Sequence, residues 1–125
     1  MIRSLIQVHS IVSLLIAECF KKKTSSFKTY HSNGNLKVLG THEVKTGKKT
    51  GIWNVYGKNG NLLKEVAYRN DELNGESITY YDSGKLKKIE NYKNGKLDGE
   101  TKLFLNDGNL FQTKYYKNGV PVQKS

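Results

Sequence analysis

Apolar and polar residues alternate along most of the chain with the period of two that a half-exposed β-strand requires. Gly51 to Gly57 holds Ile52, Trp53, Val55 and Tyr56, all residue types that favour strands. Asn59-Gly60 follows, and both residues tolerate the positive φ of a tight turn. Leu62 to Arg69 then reads as a return strand, with Leu62, Val66 and Tyr68 on one face by alternation. The stretch Asn70 to Gly75 reads as a turn into the next unit. That unit uses Ser83-Gly84 and Asn94-Gly95 as its turns, and the last uses Asp107-Gly108 and Asn118-Gly119. Alternation breaks in one respect: Leu86 and Tyr92 share a parity that Ile89 does not. A bulge, or apolar rows on both faces of a sheet, accounts for this.

The hairpins repeat. Gly34, Gly60, Gly84 and Gly108 are each followed two places on by Leu36, Leu62, Leu86 and Leu110, at spacings of 26, 24 and 24. Four residues before each glycine stand Tyr30, Tyr56, Tyr80 and Phe104. Tyr68, Tyr92 and Tyr116 recur in phase, each followed by a basic residue and an Asn, and so do Gly51, Gly75 and Gly99. Three series with one period specify a tandem array. The fold class that follows is all-β: an elongated, open antiparallel sheet of β-hairpins. Two strands per unit advance the sheet by about 10 Å, so the array is about 40 Å long. The recurring Tyr, Phe, Leu and Gly positions define the repeat and are expected to stack between neighbouring hairpins.

Residues 1–23 read differently from the repeat domain over residues 24–125. Arg3 is followed by the apolar run Ile11 to Ala17, then Cys19 and three lysines. The run is shorter than the roughly 20 residues needed to span a bilayer. A positive start and small residues near the end describe a secretory signal peptide. Leu15 to Cys19 also resembles a bacterial lipoprotein box, with Cys19 the residue for lipidation, although Glu18 departs from the pattern. The other reading is an amphipathic helix with Leu5, Val8, Val12, Leu15, Ile16 and Cys19 roughly on one side. A signal would place the protein in the cell envelope or outside the cell, and a helix would leave it in the cytoplasm.

Composition supports the β reading. Apolar residues make up 36% of the chain, eight Tyr exceed four Phe, and one Pro stands against twelve Gly. The formal charge of +10 arises from Lys21 onward, because Arg3 and Glu18 cancel before it. This favours an acidic protein partner or an anionic membrane surface. Lysines outnumber arginines nineteen to two, which argues against base-reading of nucleic acid. Lys85, Lys87, Lys88, Lys93 and Lys96 form the densest basic stretch and are the candidate contacts to an acidic partner. An open sheet offers no deep pocket, so no small-molecule substrate is expected.

Catalytic chemistry is not apparent. Metal and nucleophilic sites need clustered Cys, His or carboxylates, whereas His9, His31 and His42 are scattered. Glu76 and Glu100 share one repeat position whose counterpart is Ile52, so repetition explains them. Gly47-Lys48-Lys49-Thr50 lacks the first glycine of a phosphate loop, having His42 there. No catalytic residue, metal or cofactor is predicted, and the chain reads as non-enzymatic.

The segment Gly51-Ile52-Trp53 to Tyr56, then Asn59-Gly60-Asn61-Leu62 and Tyr68-Arg69-Asn70, resembles the MORN-repeat variant. Tyr80 to Leu86 and Tyr92 to Glu100 match its pattern best, and the likeness covers about Phe27 to Val120. The first unit departs from the pattern, with His42 at the Tyr position, and Ser77 and Thr101 replace the Trp. The resemblance implies an open sheet of hairpins. It also implies a protein–protein interaction module, since many bacterial members are described as antitoxins of the YwqK type. Other members are envelope proteins, which implies the alternative of a structural or anionic-lipid-binding protein held by its N-terminus.

Overall fold

The computed structural model describes residues 22–124. The expected signal or helix over residues 1–23 and the lipidation of Cys19 therefore fall, but for Lys22 and Lys23, outside the described residues. Nine strands run in chain order: β1 (Thr24–Tyr30), β2 (Leu36–Glu43), β3 (Lys49–Tyr56), β4 (Leu62–Arg69), β5 (Glu72–Tyr80), β6 (Leu86–Lys93), β7 (Lys96–Phe104), β8 (Leu110–Lys117) and β9 (Val120–Val122). They form one sheet in that same order, every neighbouring pair antiparallel. The described residues contain no helix, and among them the sheet is a single layer.

Two kinds of connection alternate. Residues 31–35, 57–61, 81–85 and 105–109 make five-residue turns with a glycine at positive φ: Gly34, Gly60, Gly84 and Gly108. Asn70-Asp71, Asn94-Gly95 and Asn118-Gly119 make two-residue turns with both central φ angles positive, the hairpin type whose twist matches that of the strands. The first connection of this kind, residues 44–48, is longer by three residues while β3 is one residue shorter than β5 and β7, which together give the 26-residue spacing.

The turn expected over Asn70 to Gly75 is shorter in the structure. It closes in two residues, and Gly75 lies within β5. Val66 pairs with Ser77 and Tyr68 with Leu73, so three residues of β5 stand against Ala67 alone. The same excess recurs between β6 and β7, where Asp98, Gly99 and Glu100 face Asn91. Between β2 and β3, Gly51, Ile52 and Trp53 likewise face Gly40 alone, and Gly51, Gly75 and Gly99, with φ of +72°, +108° and +105°, occupy the three bulges. The third glycine series is thus a bulge series.

The register resolves the other series as cross-strand pairs. Tyr30, Tyr56, Tyr80 and Phe104 pair with Leu36, Leu62, Leu86 and Leu110 beside the long turns. Tyr68, Tyr92 and Tyr116 pair with Gly51, Gly75 and Gly99. Val66 and Tyr68 share a face as expected, whereas a bulge separates Leu62 from them, the register shifting between Val55 and Tyr56. Ile89 pairs with Ile78 on the opposite face, so the broken parity reflects both bulges and two apolar rows. Burial is thin: Trp53 and Val66 are the buried apolar side chains among the described residues, joined by Glu43, Ser77 and Thr101.

Candidate interaction face

The two faces of the sheet differ in chemistry. Directly paired residues share a face, so the register reads out each side as rows. One face carries the central row Trp53, Val66, Ser77, Glu90, Thr101 and Lys114, each paired with the next. Beside it runs Val55, Lys64, Thr79, Lys88, Leu103 and Gln112. His42 opposite Lys49 completes its first hairpins. This Trp53 face therefore presents Lys49, Lys64, Lys88 and Lys114 against one carboxylate, Glu90. The other face holds Glu65 beside Ile78, Ile89 beside Lys102, Glu76 beside Asn91, Glu100 beside Tyr115 and Glu43 beside Thr24. Carboxylates concentrate there.

Aromatic rings gather at the β1 end of the Trp53 face. The Trp53 ring lies on Gly40, in the space a Cβ would fill, and its indole N–H donates to the Thr41 carbonyl at 3.1 Å. Phe27 and His42 approach it with ring centroids at 5.2 and 4.9 Å, and Tyr68 stands edge-on at 6.1 Å. The Lys49 ammonium sits over both Trp53 and Tyr68, 4.7 and 4.9 Å from their centroids. Together with Val38, Val55 and Val66 these groups wall an open recess of about 410 Å³.

Further along, polar groups replace the rings. Glu90 accepts from the Tyr92 hydroxyl at 3.2 Å and pairs with Lys88 at 3.0 Å. Burial, followed by the Glu90 charge and hydrogen bond, raises the Tyr92 hydroxyl above its usual pKa. On the opposite face Tyr80 donates to Glu65 at 2.8 Å. Its pKa is raised too, by burial first, then by the hydrogen bond and the charges of Glu65 and Glu76.

The sequence pattern of the MORN repeat variant matches residues 23–43, 49–70, 73–94 and 97–118, and each match is one hairpin closed by a long turn. The chain belongs to the MORN repeat variant family. This family is a non-enzymatic repeat module of the kind that serves protein and membrane interactions. No curated protein and no solved structure gives a match.

Within this MORN-variant sheet the five lysines singled out from the sequence do not form one patch. Lys85 lies in a long turn, while Lys93 and Lys96 pair at the opposite margin. Lys87 and Lys88 are consecutive in β6 and so point to opposite faces, Lys87 toward the Tyr81 ring and Lys88 toward Glu90. The His31 Nε2–H donates to the Tyr56 carbonyl, 2.9 Å away, and ties the first long turn to the end of β3. No cluster of metal-ligating side chains occurs among the described residues. Sequence reasoning missed Phe27, Lys49, Lys64 and Lys114. A signal for part of this set exists: Lys64 and Lys88 are 24 residues apart, as are Val66, Glu90 and Lys114, so each set shares one repeat position and one face.

Proposed function

We propose that this MORN-variant protein is a non-enzymatic protein-binding module whose Trp53 face docks on an acidic protein. The observation that carries the reading is the charge asymmetry of the sheet. Lys49 lies over Trp53 and Tyr68 and shares that face with Lys64, Lys88, Lys114 and one carboxylate, Glu90, while on the other face Lys28, Lys87 and Lys102 are offset by Glu43, Glu65, Glu76 and Glu100. Aromatic anchors surrounded by steering charge are what a macromolecular interface uses. A flat, open sheet suits the covering of a partner's surface, and an antitoxin that covers an acidic toxin is the biological role in keeping with it.

The test is a pull-down from the native host with the full chain and two variants. One carries Lys49→Gln, Lys64→Gln and Lys114→Gln on the Trp53 face, and the other carries Lys28→Gln and Lys102→Gln on the opposite face. The first should lose the partner and the second should keep it. The association rate of the wild-type complex should fall as salt rises from about 50 to 500 mM, because screening shortens the reach of surface charge. A partner retained equally by both variants would refute the face assignment. Binding to phosphatidylserine vesicles with no protein recovered would favour the membrane reading instead.

A further inference from the structure

We infer that the recess walled by Phe27, His42, Trp53 and Tyr68 receives one apolar side chain of the acidic partner, set beside a carboxylate that takes Lys49. This rests on the reading of the Trp53 face as the docking surface and adds which chemistry it recognises. The recess holds about 410 Å³, within the range of sites that take an apolar group. Its floor is Trp53 and Val66, both buried, while Phe27 on its wall is 36% exposed. An apolar side chain entering there would remove ring surface from water that the sheet itself leaves uncovered.

Lys49 marks the polar half of the site. Its ammonium lies over two rings and makes no ion pair among the described residues. A carboxylate arriving at the rim offers it a charge-assisted hydrogen bond, stronger than its contact with a ring in water. Moving to that carboxylate uncovers the faces of Trp53 and Tyr68 for the apolar group. Lys64, which pairs with Val55 at the recess wall, is placed to take the next acidic residue.

The recess is not a requirement of the repeat. It exists because Gly40 leaves the space that the Trp53 ring fills. At the positions equivalent to Gly40 stand Val66, Glu90 and Lys114, and at those equivalent to Trp53 stand Ser77 and Thr101. The later hairpins form the same strands without it. One anchor at one end of an otherwise repetitive face fixes the direction in which a partner lies.

Trp53 is the single tryptophan of the chain, so its emission reports on the recess directly. The full-length protein is titrated at about 50 mM salt with tryptophan-free peptides of glutamate and aspartate. One peptide contains leucine next to the acidic residues, one has alanine in its place, and one is the leucine peptide with lysine for every acidic residue. The leucine peptide should change Trp53 emission saturably and bind about tenfold tighter than the alanine peptide, with the basic peptide inert. Lys49→Gln and Phe27→Ala should each weaken the leucine peptide about tenfold, with circular dichroism unchanged, while Lys28→Gln on the far face should not. Equal affinity for the leucine and alanine peptides overturns the recess and leaves the acidic-partner reading intact. Failure of both acidic peptides to bind would overturn both.

Discussion

At the residue scale, the close approach of Trp53 to Gly40 makes a sharp demand. A Cβ at position 40 would fall within the indole ring, and Trp53 has Phe27, His42 and Tyr68 around it. Gly40→Ala should therefore destabilise the domain by about 1 to 3 kcal/mol in urea unfolding, as overpacking does, despite adding only a methyl group. A neutral result would mean that Trp53 swings out of the recess freely. The paired tyrosines make a second demand, on pH. Tyr80 and Tyr92 have their pKa values raised above 10.0 in the folded chain, so folding favours their protonated form. The stability this provides is full below the unfolded value and is lost as pH rises through the folded one. Melting temperature should thus fall above pH of about 10, and a Tyr80→Phe, Tyr92→Phe variant should show a shallower fall. Identical slopes for the two proteins would sink this account.

At the scale of the element, the bulge decides what the sequence could reveal. Gly75 carries φ of +108°, and a Cβ there would stand 3.1 Å from that of Ala67. Gly75→Ala should cost about 1 to 3 kcal/mol in chemical denaturation, the range for a strained backbone position. The hairpins and their Asn-Gly turns were legible because those dipeptides impose a backbone conformation locally. Gly75 was misplaced into a turn because the same residue serves turns and bulges, and only the partner strand tells them apart. Face membership suffered for the same reason, since each bulge shifts the parity that assigns Leu62 or Ile89 to a side. The candidate site was legible in fragments. Trp53 and His42 stood out as departures from the repeat, but nothing in their spacing brings Phe27 or Lys49 to them. Sequence density picked out Lys85 to Lys96 instead, and alternation scatters such neighbours over both faces and both margins. One inter-unit device was likewise invisible: the amides of Asp71, Gly95 and Gly119 donate to the carbonyls of Lys49, Leu73 and Leu97, so each two-residue turn is bonded to the strand that opens its neighbouring hairpin.

At the scale of the whole molecule, the +10 charge and the single layer belong together. Among the described residues no second layer covers the sheet, and lysines on its strands and turns discourage it from stacking on its own copies. The outer strands differ in this respect, because β9 has three residues with Pro121 at its middle, while β1 has seven and no proline. The strict order of strands has a mechanical consequence. The described chain enters at one margin of the sheet and leaves at the other, so traction on its two ends acts across the strands and loads one ladder at a time. Hydrogen bonds then part in sequence, as in a zip, and not together, as in a sheared pair. Stretched between two beads, the protein should lengthen in successive steps of about 80 Å, the contour of one 24-residue hairpin, at low force. A single abrupt rupture would show that the hairpins yield as one body. A chain built this way behaves as an extensible tether whose slack is released unit by unit, and a partner spanning several hairpins would act as its lock.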